Sequence, residues 1–276
     1  MIALGRLGAP FVTALVLVAA AVAAHGLSLL ARRRLLDRLA TLLFLGAAGA
    51  TVWILVARYL DAGRPPFKTL YESLVLFAAS VALLYAVVER FYRLALLGLL
   101  ASAFVLAILG YAAVKADVDT IALPAALQSA WFVPHVVVYF LGYAALFLAA
   151  ALAAVHLARP GATVTFSNLG GSRVVGYGEL MHTVTKFGFA SISVGLVIGA
   201  LWAKSAWGDY WVWDPKENWS LITWLIYVIY LHLRRSPGWT ERRSAGVLIA
   251  GFAAVMFTYL GVSLLPTAGQ SAHVYQ

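Results

Sequence analysis

Between Trp207 and Trp224 the chain reads WGDYWVWDPKENWSLITW, five tryptophans interleaved with Asp209, Asp214, Lys216 and Glu217. Such a stretch offers a broad apolar surface edged by acids, on which a large flat ligand can lie. The competing reading is an interfacial aromatic belt, although belts scatter tryptophans over several spans rather than gathering them in one segment. Asp214 precedes Pro215 and stands three residues before Glu217. That is a helix start, with an acid at the N-cap, proline at the first helical position and a second acid reaching back from N3. The apolar run SLITWLIYVIYLHLRR that follows is the helix so begun.

Histidine supplies the second kind of chemistry. His135 opens an apolar run in QSAWFVPHVVVYFLGYAALF, with Tyr139, Gly142 and Tyr143 one and two turns further along the same face. His273 lies in the tail SAHVYQ, just beyond the last apolar run. Two neutral imidazoles at the level of an aromatic floor are what a haem requires, axial nitrogens for the iron and flat contacts for the porphyrin. Taken singly, each is equally an interfacial polar residue. His232 is 13 residues beyond Trp219 on the same helix, roughly 20 Å away at 1.5 Å per residue. It cannot bind the same iron, and reads either as a second station on a pathway or as a helix-end histidine favoured by the dipole. His25, His156 and His182 take no role. In RPPFKTLYES, Glu72 either orients a ligand, pairs with Arg64 or Lys68, or caps a helix start.

These groups must be positioned by membrane helices. Of 276 residues, 63% are hydrophobic and 11% charged, which places the chain in a bilayer rather than in water. The net charge of +9 sits in short clusters between apolar runs, so it orients the chain in a membrane and does not indicate nucleic acid. With no cysteine, thiol chemistry must arrive with a substrate. Apolar runs at about Pro10–Ala31, Leu35–Leu60, Leu70–Val88, Phe91–Val114, Val133–Ala158, Thr183–Trp202, Trp219–Leu233 and Ala245–Leu265 predict an all-α polytopic membrane helix bundle of about eight transmembrane helices. The first run continues too far for a signal peptide and reads as a retained span. Residues 1–276 form one integral membrane domain, and Pro160–Gly178 reads as a glycine-rich loop.

Arg32, Arg33, Arg34, Arg38, Arg90, Arg93, Arg159, Arg173, Arg234, Arg235, Arg242 and Arg243 fall on one side. The positive-inside rule makes that side cytoplasmic, and puts the Trp-rich segment and both termini outside. The loop from Arg58 to Lys68 runs against this trend, with three basic residues on the outer side.

The tryptophan segment resembles the "WWD" signature of haem-handling proteins of cytochrome c maturation. Together with TLYES, LQSAWFVPHVVVYFLGYAALF, YLHLR and the histidine after GVSLL, it is similar to the CcsA (ResC) family, over about Pro65 to His273. The resemblance implies a core over 65–276 preceded by a two-helix extension over 1–64. It also implies transport of haem b across the plasma (inner) membrane and its presentation to the CxxCH thiols of apocytochrome c. His135 and His273 would be the outer axial ligands of the iron, and His232 the inner haem histidine. Trp207, Trp211, Trp213 and Asp214 would form the platform, with Glu72 beside it. The partner would be a CcsB (ResB)-like membrane protein, making the chain one half of a two-component synthase. Pro266 and Gln270 depart from the family's usual approach to the last histidine. A haem chaperone of the HemX or CcmC kind is the alternative. A transporter using Asp209, Asp214 and Glu217 does not fit, because these acids lie outside the midplane.

Overall fold

The computed structural model describes residues 4–115, 119, 122–168 and 171–266. Eight α-helices stand among them: α1 (Leu4–Ala31), α2 (Arg34–Ala62), α3 (Leu70–Tyr92), α4 (Ala95–Lys115), α5 (Phe132–Ala158), α6 (Tyr177–Trp207), α7 (Pro215–Leu233) and α8 (Glu241–Tyr259). They match the expected spans in order and number. Six of them, α1 to α6, are long and apolar enough to cross a membrane. The last two have 19 residues each and spend their first turns on polar groups, Lys216 and Glu217 in α7, Glu241, Arg242 and Arg243 in α8.

The described chain falls into two units, residues 1–122 with 163–175, and residues 123–162 with 176–276. In the first unit α1 packs on α2 and α4, and α3 on α2 and α4. Its core holds Phe11, Phe44, Phe77 and Tyr85, all within 1% of complete burial. Thr69 caps α3: its hydroxyl accepts from the Glu72 N–H while Glu72 accepts from the Thr69 N–H, a reciprocal box that satisfies two otherwise orphaned donors.

In the second unit α5 is the central helix, packed on α6 and α8, with α7 against α8 and α6. Every residue from Gly142 to Ala153 is buried, as an apolar helix with no polar face must be. That rigid column carries His135 in its first turn.

The stretch expected to be a loop, 160–178, instead forms two paired strands, β1 (Thr163–Asn168) and β2 (Gly171–Gly176), and α6 begins at Tyr177. Phe166 of β1 stacks on Phe91 at 5.7 Å and meets Tyr92 at 5.2 Å, so the strands seat on the end of α3. Alternation in TVTF and VV on either side of the sequence Asn-Leu-Gly-Gly is the hairpin signal that the glycine content hid. Phe166→Ala should loosen this hairpin by about 1–3 kcal/mol. The check is faster amide hydrogen exchange in 163–176 with exchange in α5 unchanged.

Candidate functional site

The tryptophan segment lies between two helix ends of the second unit. α6 stops at Gly208, whose positive φ of 90° lets its N–H close on the Lys204 carbonyl. α7 starts at Asp214 with the expected cap. The Lys216 N–H donates to Asp214 Oδ1 at 2.7 Å, and Glu217 Oε2 accepts from the N–H groups of Val212 at 2.9 Å and Asp214 at 3.1 Å. Both acids are buried, at 5% and 8% exposure, and their oxygens are committed to backbone. Asp214 and Glu217 therefore shape the chain and do not present an open carboxylate, whereas Asp209 is exposed.

What they shape is the backbone at Trp213. Its φ of 59° is left-handed, a conformation that costs a bulky residue of order 1–3 kcal/mol and persists only where its surroundings hold it. Asn218 Nδ2 donates to the Trp213 carbonyl at 2.8 Å. The result is an indole thrown outward, 68% exposed, standing edge-on to Trp211 at 6.0 Å. Trp211 Nε1 is buried with no acceptor among the described residues. Lys216 lies in the turn ahead of the apolar part of α7; desolvation lowers its ammonium to about 8, against the pull of Asp214.

His135 is held from α6. Its Nδ1 lies 2.9 Å from the Gly195 carbonyl, its ring stacks on Trp202 at 5.6 Å and 29°, and Tyr139 closes the other flank at 5.0 Å. Because a carbonyl only accepts, Nδ1 carries the proton and the in-plane lone pair is left on Nε2, the tautomer in which histidine ligands are commonly held. The ring reaches this position because position 199 has no side chain. A methyl group there would stand 2.7 Å from His135 Cε1 and 2.8 Å from Nδ1. Gly195 plays the same part for Tyr139, whose Cδ2 would be 2.5 Å from such a group.

Trp202 ties this histidine to the tryptophan segment. It packs on Trp207 at 4.9 Å and donates from Nε1 to the Ala126 carbonyl at 2.8 Å. The structure thus brings His135 and Trp207 together through Trp202, while Trp211, Trp213 and Asp214 form a second group ahead of α7. Trp202, Gly195 and Gly199 were not singled out from sequence. The G-L-V-I-G spacing inside an apolar helix is the signal that finds the glycines, since small residues four apart let another helix approach closely.

The remaining residues lie elsewhere. His232 is exposed in the last turn of α7, at the opposite end of that helix from Asp214. His273 falls outside the described residues. Glu72, in the first unit, is fully buried and accepts five hydrogen bonds. Arg58 Nε and Arg64 Nη2 reach Oε1, and Arg64 Nη1 and the Lys68 and Thr69 N–H groups reach Oε2. It caps its helix and pairs with Arg64, as two of its sequence readings held; Lys68 meets it through the backbone.

Residues 67–268 match the family model described as cytochrome C assembly protein. The "Cytochrome c biogenesis protein CcsA" of Parasynechococcus marenigrum (strain WH8102) is 36% identical, over 80% of this chain and 81% of that one. The protein of the same description from Gloeothece citriformis (strain PCC 7424) is 32% identical over 84% and 87%. Among solved structures, one described as "Cytochrome c Heme Lyase CcmF" shares the fold, with a TM-score of 0.71 at 21% identity over 95% of this chain. The chain spans about half of that solved chain, 47%. The chain belongs to the cytochrome c assembly protein family, among the relatives of CcsA, and is an integral membrane protein of cytochrome c maturation.

Proposed function

We propose that the chain carries haem b to the outer face of the plasma (inner) membrane and presents it to apocytochrome c. The observation that supports this reading best is His135, its proton fixed on Nδ1 by the Gly195 carbonyl and its ring backed by Trp202. A histidine merely tolerated at an interface has no need of a glycine opposite it and an indole behind it. In this reading His135 and His273 ligate the iron from its two sides, and His232 binds haem earlier, near the cytoplasmic surface. Trp207, Trp211 and Trp213 contact the porphyrin, Asp214 sets their backbone, and Glu72 contributes through the arginines it holds. The core is residues 65–276, with 1–64 as an extension.

Covalent attachment consists of adding each thiol of a CxxCH segment across a haem vinyl group, sulfur to one carbon and hydrogen to its neighbour. Asp214 and Glu217 are not placed to donate a proton, since their oxygens accept from backbone N–H groups. The chain's contribution is then orientation, holding the haem where thiols brought by apocytochrome c can reach it. A CcsB (ResB)-like membrane protein completes the synthase. The same commitment of the acids equally suits a haem chaperone of the HemX or CcmC kind, which binds haem without attaching it.

The deciding measurement is the reduced-minus-oxidised spectrum of the purified full chain, alone and co-expressed with its partner, followed by haem staining of co-expressed apocytochrome c. Bis-imidazole haem with stained cytochrome is the expected result. Haem without attachment selects the chaperone, and a colourless protein in both preparations overturns the reading.

A further inference from the structure

We propose that His182, on the face of α6 turned to α7, is a further haem-iron ligand of the second unit, with Lys186 one turn along to meet a propionate. This role rests on the haem reading above, and falls to a residue that sequence left without one. It lies toward the end of α7 remote from the tryptophan segment. Tyr230, which holds His182, stands 15 residues beyond Pro215, roughly 22 Å along the helix.

α6 uses two faces differently. Toward α5 it presents Gly188, Gly195 and Gly199, where an added methyl would stand 2.5 to 2.8 Å from Leu146, Tyr139 or His135. The two backbones therefore lie close. Toward α7 it presents His182, Phe189 and Ser193, at i, i+7 and i+11 of one face. The helices meet there through long side chains: Phe189 packs on Trp224 at 5.6 Å, and Trp224 Nε1 donates to Ser193 Oγ at 2.8 Å. Half-buried His182 thus borders a seam bridged by side chains rather than closed by backbone.

Only one nitrogen of this ring is engaged. Nδ1 lies 3.4 Å from the hydroxyl of Tyr230, a fully buried residue, and the two rings stand 5.9 Å apart at 49°. A hydroxyl accepts as well as donates, and by accepting the Nδ1 proton it leaves the lone pair on Nε2. Nε2 meets no partner among the described residues. A core histidine is satisfied on both sides, as His25 shows: its Nδ1 lies 3.0 Å from the Ala21 carbonyl and its Nε2 3.4 Å from the Tyr85 hydroxyl, with no exposure. Nor is His182 placed for its charge. A histidine kept for the helix dipole belongs in the last turn, where His232 stands, whereas His182 is in the second turn of α6. His232 is two residues from Tyr230, about 200° around α7, so the two histidines flank that helix and cannot share an iron. Lys186 is exposed and follows His182 by four residues on the same face, within reach of a carboxylate on a haem bound there. Arg234 is already taken, by Glu241 at 2.6 Å and the Gly178 carbonyl at 3.3 Å.

The test uses the purified full chain with His135→Ala, His232→Ala and His273→Ala combined, which removes the other ligands of the haem reading. Reduced haem and its dimethyl ester are titrated optically into this triple variant, with and without His182→Ala or Lys186→Gln, beside far-ultraviolet circular dichroism. The expected result is imidazole-bound haem in the triple variant, weakened about tenfold or more by His182→Ala. Added imidazole should restore part of it, which a merely structural histidine would not allow. Lys186→Gln should weaken haem and leave the ester unchanged, and an equal change in both would free the lysine of its role. Haem held equally well after His182→Ala, or bound by wild type but not by the triple variant, overturns the ligand and leaves the haem reading in place. If the triple variant loses helicity, haem per chain at saturation is compared between wild type and His182→Ala alone. Fewer haems or a changed axial spectrum upholds the ligand, and identical values overturn it. A wild type that binds no haem removes both readings.

Discussion

Gly199→Ala is expected to weaken haem binding by about 10–100-fold, the usual cost of disturbing the group that orients a metal-bound histidine. The added methyl would stand 2.7 Å from His135 Cε1, so the ring must turn away from the Gly195 carbonyl and from Trp202. The helix itself gains, since alanine is favoured over glycine in a helix interior by about 1 kcal/mol. A loss of haem in a chain at least as helical as wild type therefore isolates the orientation of His135 from its presence. His135→Ala should lose the bis-imidazole spectrum altogether and regain part of it with added imidazole. The check is optical titration of the reduced proteins beside their far-ultraviolet circular dichroism. Wild-type affinity in Gly199→Ala would show that the ring is not seated as described, and wild-type spectra in His135→Ala would remove it from the iron.

The parts of this molecule that were legible in the sequence are those written in local periodicity. Eight apolar runs predicted eight helices because a bilayer admits few alternatives to a helix long enough to satisfy its own backbone. The cap of α7 was equally legible, since Asp214, Pro215 and Glu217 act within one turn. The hairpin at 163–176 was missed because glycines diluted a short alternation. What places His135 could not be read locally: Gly195 lies 60 residues away and is chosen by how α5 packs against α6. Glu72 illustrates the remaining limit. Its spacing from Thr69 announced a capping box, but not that Arg58, 14 residues upstream, would join Arg64 on the same carboxylate. Sequence separation hides such convergence even when each residue type is conspicuous.

The second large effect distinguishes shape from charge in the tryptophan segment. Glu217→Ala removes the acceptor of two N–H groups, the part-buried one of Val212 and the buried one of Asp214, and leaving a buried donor unmade costs about 1–3 kcal/mol. α7 should survive, because Asp214 still caps it through the Lys216 N–H. The strained turn at Trp213 should not, since its left-handed φ is retained against a preference for relaxation. The expected outcome is a helical protein with altered tryptophan emission and haem affinity reduced by about tenfold or more, the equivalent of one to two such bonds. Glu217→Gln keeps an oxygen that can accept both N–H groups and should stay close to wild type. Asp214→Asn should also, asparagine being as good an N-cap as aspartate. If the amides prove as damaging as alanine, the negative charges themselves act on the ligand. If they are silent while Glu217→Ala is not, these acids act on haem only through the backbone that aims Trp211 and Trp213.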